Sequence, residues 1–212
     1  MWRRVAFAAR CAAISATIVL LYFCLGSGVA QAQALYAPLG ERTSAPPIGW
    51  AQFCQTYHSE CDTKPLPPRD VVASKQAWDE LKRVNDWVNH TIKPMTDTDH
   101  YSMIQWWRYP DDGAGACHSY ALLKRRMLMQ AGWPRQALLM TIVHEVNGDG
   151  HAVLTVKTDQ GEFILDNLTD DILLWSKTPY RYYKRQSQDD PNIWVRLDDT
   201  RRDVATSAVH AH

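Results

Sequence analysis

Residues 113–120 of the chain read Gly-Ala-Gly-Ala-Cys-His-Ser-Tyr, and the cysteine among them is Cys117. A helical pattern, Ala121 to Gln130, follows at once, so we expect the thiol in the first turn of a helix. Free backbone N–H groups and the helix dipole stabilise a thiolate there, against an ordinary thiol pKa of about 8.5. The same N–H groups can hold an oxyanion. The stretch predicts a nucleophile, with a buried structural cysteine as the alternative.

The composition is that of one globular domain. The chain has 212 residues, of which 46% are hydrophobic and 22% charged, and it contains 9 tryptophans. This apolar content is sufficient for a core and excludes a disordered or purely fibrous protein. Lysine and arginine number 23, as do aspartate and glutamate, so the charge balance indicates no nucleic-acid partner.

The N-terminus has the pattern of a secretion signal. It begins Trp2-Arg-Arg, continues with an apolar run from Cys11 to Leu25, and ends in small residues that form overlapping cleavage sites over Gly28 to Ala34. An uncleaved anchor is the alternative, but the apolar run is shorter than the roughly 20 residues that span a bilayer. We therefore predict a signal peptide over residues 1–34 and export to the periplasm.

The cysteines of the exported chain are odd in number. Removal of Cys11 and Cys24 with the signal leaves Cys54, Cys61 and Cys117. Cys54 and Cys61 are close together in a stretch with little helical or strand pattern, and they are the natural disulfide pair in an oxidising compartment. Cys117 is then the free thiol.

Helical and strand patterns surround the cysteine helix. Ser74 is a plausible N-cap for a core-packing helix that runs to Ile92. The run from Lys93 to Asp112 is loop-like and is expected to form a wall of the site, with a solvated loop as the alternative. After the cysteine helix, Ala131-Gly-Trp-Pro134 supplies a stop signal.

Strand patterns fill most of the rest of the chain. Residues 137–146, 151–158 and 162–167 are expected to form an antiparallel meander that packs on the cysteine helix, which is an α+β arrangement. Further strands are expected at 180–184 and 193–197. The polar residues 198–212 are predicted to be a disordered tail.

The last hairpin of the meander brings a histidine and a carboxylate together. If residues 159–160 form a two-residue turn, His151 lies opposite Leu168, and Asp166 is its diagonal neighbour on the same face. An imidazole that takes the thiol proton, oriented by a carboxylate, is what a thiol nucleophile requires. The sequence therefore predicts a catalytic triad of Cys117, His151 and Asp166. Taken singly, each residue is better interpreted without catalysis, His151 as a strand-edge residue and Asp166 as a turn initiator, and it is their combination with Cys117 that favours the triad.

Other histidines are weaker candidates for the base. His118 adjoins the nucleophile, but successive helical residues point about 100° apart, so it is poorly placed to take the proton of Cys117. The remaining weaker candidates are His58, His90, His100 and His144.

Several ordered motifs together resemble the bacterial transglutaminase-like cysteine peptidases, over roughly Gly49 to Leu197. The motifs are Trp106 to Pro110, Gly115 to Tyr120, Leu123 to Arg126, Ala131 to Pro134, Gly150 to Leu154, Phe163 to Asn167 and Lys184 to Gln188. The resemblance implies a papain-like or transglutaminase-like fold in residues 35–197, with Cys117 as nucleophile, His151 as base and Asp166 as orienter.

The resemblance also implies partners and a cofactor. The best-understood branch of the family consists of periplasmic proteases that clip surface adhesins, need calcium, and are held in check by an inner-membrane cyclic-dinucleotide receptor. The family has acidic residues tied to calcium on both sides of the nucleophile, where this chain has Ala116 and His118. We therefore expect lower sensitivity to chelators and assign no metal ligand, unless the oxygens come from Asp97, Asp99, Asp111 and Asp112.

Two classes of function follow from these patterns. The first is a monomeric exported cysteine peptidase that acts through an acyl-thioester on a cell-surface or periplasmic protein. The alternative is a non-catalytic binding module that keeps the fold. A transglutaminase or amidase would use the same intermediate, since only the acceptor differs.

Overall fold

The computed structural model describes residues 34–62 and 64–201. The predicted signal peptide, apart from Ala34, and residues 202–212 of the predicted tail lie outside this range. The described helices are α1 (Ile48–Thr56), α2 (His58–Cys61), α3 (Lys75–Thr91), α4 (Asp97–Tyr101) and α5 (Cys117–Gln130). The described strands are β1 (Leu39–Ser44), β2 (Lys93–Pro94), β3 (Ala114–Gly115), β4 (Leu138–His144), β5 (Gly150–Thr158), β6 (Gly161–Leu165), β7 (Leu173–Leu174), β8 (Arg181–Gln186) and β9 (Trp194–Leu197).

An antiparallel sheet with the strand order β1-β9-β8-β4-β5-β6-β7 is the frame of the molecule. Helix α5 packs on its central strands β4 and β5, and α3 packs against α5. Leu122, Leu128, Met140 and Leu154 are fully buried in the shared core. The predicted α+β arrangement, a cysteine helix on an antiparallel sheet, is thus confirmed.

The two long helices begin and end as their sequences predict. The Ser74 side chain accepts a hydrogen bond from the Ala77 N–H and caps α3. Helix α5 begins at Cys117. After α5 the chain turns at Gly132, whose φ of +94° is a left-handed conformation that glycine adopts without a Cβ penalty.

The register of the β5–β6 hairpin follows the predicted two-residue turn. Thr158 pairs with Gly161, and the ladder runs to the pair Leu154 and Leu165. It stops there, so the predicted pairing of His151 with Leu168 is wrong. The chain leaves the sheet after Leu165, and this departure turns the next residues toward the start of β5.

Elements near the N-terminus of the domain are missing from the sequence prediction. The stretch around Cys54 and Cys61 is helical, as α1 and α2, and the two cysteines form the predicted disulfide. Helix α1 has a narrow buried face of Gly49, Trp50 and Phe53, so its helical periodicity is weak. Strand β1 is mostly exposed and pairs only with β9, which explains why its sequence lacks a core pattern.

Two predicted boundaries also differ. The loop between Lys93 and Asp112 contains β2 and the short helix α4, capped by Thr96. The ordered fold continues past Leu197, because the Asp199 carboxylate accepts hydrogen bonds from the Tyr182 N–H and from Arg201. None of the helices described between Ala34 and Arg201 has the length and apolarity to cross a membrane.

Candidate active site

Cys117 is the first residue of α5, as its sequence context predicts. Strand β3 leads into the helix and pairs in parallel with β2, which fixes the direction of entry. Gly115 lies so close to the helix that a Cβ there would be 2.6 Å from the Cβ of Ser119. A larger residue would therefore push the first turn away. Helix geometry leaves the backbone N–H groups of Cys117 and His118 without intrahelical acceptors.

The Cys117 thiol is partly buried and is the free cysteine of the described residues. Burial raises its pKa, but hydrogen bonds from the imidazoles of His118 and His151 and their positive charges outweigh burial and lower the pKa to about 6. A thiol with this pKa is largely thiolate at neutral pH. The group is therefore poised as a nucleophile.

His151, the second residue of β5, contacts both the thiol and a carboxylate. Its Nε2 is 2.8 Å from Oδ1 of Asp166, and both side chains are buried. Since Nε2 faces the carboxylate, Nδ1 is the ring nitrogen left for the sulfur. Burial lowers the pKa of His151, but hydrogen bonds with Asp166 and Cys117 outweigh it and raise the pKa to about 10. Imidazolium and thiolate therefore stabilise each other.

Asp166 follows β6 directly and is held at several points. Burial raises its pKa, but the hydrogen bond and charge of His151, together with the hydroxyl of Tyr180, lower it on balance. Oδ2 accepts a hydrogen bond from the Tyr180 hydroxyl, and Oδ1 accepts a second one from the Leu168 N–H. These donors keep the carboxylate ionised and fix its orientation toward His151.

The backbone carbonyl of Asp166 has its own donors on two helices. Nδ2 of Asn89 on α3 donates to it at 2.9 Å, and Nζ of Lys124 on α5 at 2.8 Å. Lys124 is fully buried, and this burial lowers the pKa of its ammonium group to about 7. Asp166 is thus bonded to the helix that begins at Cys117.

A second histidine and aspartate meet on the other side of Cys117. Nε2 of His118 is 3.3 Å from Oδ1 of Asp97, an ion-pair distance without an aligned hydrogen bond, and both side chains are buried. The His118 ring stacks on Trp107 with the ring planes only 3° apart. Sequence reasoning set His118 aside as a base and treated Asp97 as a loop residue, because their contact spans 21 residues that carry no periodic signal.

The four weaker base candidates from the sequence do not pair with Cys117, and His58 is exposed in α2. His100 pairs with Asp112 at 2.9 Å, and Nδ1 of His90 contacts the Asp86 carbonyl within α3. His144 lines the same cleft as Cys117 but bonds to the turn at Gly148. His151 and His118 differ from these histidines because each is paired with a buried carboxylate, that of Asp166 and that of Asp97 respectively.

A cleft of about 380 Å³ opens onto the sulfur. Its floor carries Cys117, His118 and His151, and one wall is formed by β4, β5 and β8. The opposite wall includes Trp107 and the Pro46-Pro47-Ile48 segment that leads into α1. The loop before the nucleophile therefore forms a wall, as predicted, and the exposed side chain of Ile48 lies at the rim.

The residues near Cys117 do not suit calcium, which requires several oxygen ligands. Ala116 has no side-chain oxygen, and His118 turns a nitrogen toward the sulfur. Within residues 34–62 and 64–201, no three His, Cys, Asp or Glu side chains are arranged to hold a metal ion. The loop aspartates have separate partners: Asp97 with His118, Asp99 with Thr96, Asp111 with Arg126 and Asp112 with His100.

Comparisons with known proteins agree with the motifs. The model of the family described as bacterial transglutaminase-like cysteine proteinase matches residues 40–202. Among curated proteins, none matches the chain. Calcium-bound LapG of Legionella pneumophila is a similar solved structure, with 24% identity over 62% of this chain and 74% of that one and a TM-score of 0.49. EGTA-treated LapG is 22% identical over 66% and 74% of the two chains, with a TM-score of 0.46.

Proposed function

The chain belongs to the bacterial transglutaminase-like cysteine proteinases, and on that premise we propose that it hydrolyses a peptide bond with Cys117, His151 and Asp166 as the catalytic triad. The observation that carries this proposal is the His151 imidazole, which is bonded to the buried Asp166 carboxylate and interacts with the Cys117 sulfur.

The reaction needs only groups that these residues supply. The Cys117 thiolate attacks the peptide carbonyl carbon, and the developing oxyanion is stabilised by free N–H groups at the start of α5. The His151 imidazolium donates its proton to the amine as the C–N bond breaks, which leaves an acyl-thioester. A water molecule then attacks the thioester and gives a proton to His151, so that release of the acid restores the thiolate and the imidazolium.

Asp166 has a supporting role in both steps. Its carboxylate stabilises the imidazolium and holds the ring with Nδ1 toward the sulfur. Tyr180 in turn holds the carboxylate. We assign Tyr180, Asn89 and Lys124 as positioning residues, since they act on the reaction through Asp166.

We propose that the substrate is a cell-surface or periplasmic protein of the adhesin class, and that the chain is exported and monomeric. The secretion pattern of residues 1–34 supports export. The resemblance to adhesin-clipping proteases supports the substrate class and control by a cyclic-dinucleotide receptor. LapG of Legionella pneumophila has been observed with calcium bound. For this chain we propose a calcium-independent site, because Ala116 and His118 offer no carboxylate.

Alkylation by iodoacetamide tests the triad, because it reports the thiolate without any substrate. We expect the wild-type rate to rise with an apparent pKa of about 6. His151→Ala should shift this profile toward that of an ordinary thiol and abolish cleavage of an adhesin fragment. Labelling at the ordinary thiol pKa in both proteins would refute the triad. The mass of the cleavage products distinguishes water from an amine as acceptor. A protein that shows the expected alkylation profile but in its unlabelled form cleaves no adhesin fragment would favour the binding module.

A further inference from the structure

His118 and Asp97 form a His–Asp pair separate from that of His151 and Asp166. The side chains are 5% and 9% exposed, and 3.3 Å separates Nε2 from Oδ1. The carboxylate is fixed by the surrounding loop, because its Oδ2 accepts a hydrogen bond from the Trp106 N–H at 2.7 Å. The pair is therefore built into the fold and is not a chance surface contact.

The imidazole of His118 is also held from one face. Trp107 stacks on it at a centroid distance of 5.3 Å, and Trp107 packs edge-on against the buried Trp50. Gly49 makes this packing possible, since a Cβ there would lie 2.0 Å from the Trp107 ring. An aromatic face stabilises a cationic ring, so the stacking favours the imidazolium form.

The charges around His118 favour the same form. Asp97 faces it from α4, and the Cys117 sulfur faces it from its own helix. Burial lowers the pKa of His118, but the Asp97 carboxylate and the Cys117 sulfur beside the ring outweigh burial and raise the pKa to about 9. The ring is therefore cationic at neutral pH, next to a thiolate.

We propose that His118, oriented by Asp97 and Trp107, is a second imidazolium that stabilises the Cys117 thiolate, so that the nucleophile is activated from two sides without a metal ion. This inference deepens the proposed peptidase function and rests on it. The two imidazoles have different tasks. His151 passes its proton to the leaving amine, whereas His118 keeps its proton, because the buried Asp97 carboxylate remains beside it throughout the reaction.

The geometry of the helix explains this division. Adjacent helical residues diverge by about 100°, so His118 meets the sulfur from the side and is poorly aligned for proton transfer to the substrate. A fixed cation needs no such alignment, since its electrostatic effect depends mainly on distance and dielectric. His118 thus supplies positive charge at the position where calcium-dependent chemistry would require oxygen ligands.

The test is the pH profile of Cys117 alkylation in the full chain, for wild type, His118→Asn, Asp97→Asn and the double variant His118→Asn/Asp97→Asn. The double variant removes both charges, so that an unpaired Asp97 carboxylate cannot itself raise the thiol pKa. We expect the apparent pKa of Cys117 to rise by about one unit or more in the double variant, which lowers the thiolate fraction and hence the alkylation rate at pH 6 about fivefold or more.

His100→Asn is the matched control. His100 forms a pair of the same kind with Asp112 on the same loop, and it is not among the groups that shift the pKa of Cys117. Its profile should coincide with that of wild type. Calcium and EGTA should each leave the wild-type profile unchanged; a shift of the profile on addition of calcium would overturn the metal-free part of the proposal.

The alkylation profiles of the double variant and of His151→Ala distinguish the role of His118 from that of the triad. If the double variant titrates like wild type while His151→Ala shifts, the role of His118 is refuted and the triad stands; if neither shifts, both are refuted.

Histidine-ring NMR of the wild type provides a second readout that does not depend on the folding of the variants. We expect the His118 ring to be protonated at pH 7, and to titrate at lower pH in Cys117→Ala. A neutral ring in wild type at pH 7 would overturn the proposal.

Discussion

Tyr180 shows how much of the site depends on single side chains outside the triad. Its hydroxyl donates to Oδ2 of Asp166, while Oδ1 is engaged by His151. Burial and the neighbouring carboxylate raise the pKa of Tyr180, so it remains a donor at any working pH. The two oxygens of the carboxylate are therefore both occupied, which prevents rotation of the carboxylate about its side chain.

Tyr180→Phe removes this donor and leaves the ring in place. We expect kcat/KM to fall about tenfold, because a hydrogen bond to a charged group contributes about 1.5 kcal/mol or more. Cleavage kinetics measure the fall at a temperature well below the unfolding transition, and thermal unfolding of the variant shows that it is folded at that temperature. Tyr182→Phe is the matched control, since its hydroxyl bonds to Thr178 and does not reach Asp166. Equal activity of the two variants would contradict the assigned role of Tyr180.

Helix α5 joins the two halves of the site through one of its faces. Cys117 and Lys124 are seven residues apart, which is about two helical turns, so they lie on the same side. Cys117 places its sulfur beside His151, and Lys124 donates a hydrogen bond to the carbonyl of Asp166. A shift of the helix along its axis would therefore change both contacts together.

Lys124→Met tests the cost of this buried ammonium. Burial lowers the Lys124 pKa from 10.5 to about 7 in the folded protein, so between these values the unfolded chain binds a proton that the folded one does not. Wild-type stability therefore gains with rising pH in this range, by up to about 1.4 kcal/mol per pH unit. The stability of Lys124→Met relative to wild type should thus decrease from pH 7.5 to pH 9 in urea unfolding.

The exposed residue Lys82 provides the control for this measurement. A hydrogen bond to Asp86 raises its pKa, so it stays protonated in both states over that range. The stability difference between Lys82→Met and wild type should be flat with pH. A flat difference for Lys124→Met as well would mean that Lys124 is charged in the folded protein.

At the scale of the whole molecule, both ends of the described chain contact the same part of the sheet. The Ala34 carbonyl accepts a hydrogen bond from Nε1 of Trp175, and the Leu35 carbonyl accepts one from the Glu162 N–H. Arg201 donates to the carbonyls of Trp175 and Tyr180. The segment that presents Tyr180 to Asp166 is therefore held by residues far from it in sequence.

Intact-mass analysis tests the proposed export and processing. We expect a first residue between Gln31 and Leu35, because that is where the small-residue pattern ends and the fold begins. The Cys54–Cys61 disulfide and the free Cys117 predict one alkyl group before reduction and three after it. Cys117→Ser should take up none before reduction. A disulfide that included Cys117 would remove the proposed nucleophile, and a first residue before Gln31 would contradict the proposed processing.

The sequence by itself determined the short-range features of this protein. The helix that begins at Cys117, the cap at Ser74 and the turn at residues 159–160 depend on neighbours within a few positions, and all are confirmed. The disulfide followed from the count of cysteines. The register of one hairpin also predicted that Asp166 lies near His151, but the ladder stops at Leu165, and the contact forms where the chain has left the sheet.

Only the tertiary structure decided which distant residues meet around these groups. Tyr180 reaches Asp166 because β8 pairs with β4, and Lys124 reaches it because α5 packs on the sheet. His118 meets Asp97 because the loop that carries Asp97 lies against the start of α5, and Gly49 leaves room for Trp107 to stack on the imidazole. No local periodicity encodes such contacts, since they arise from the packing of elements whose positions are set by the burial of the whole core.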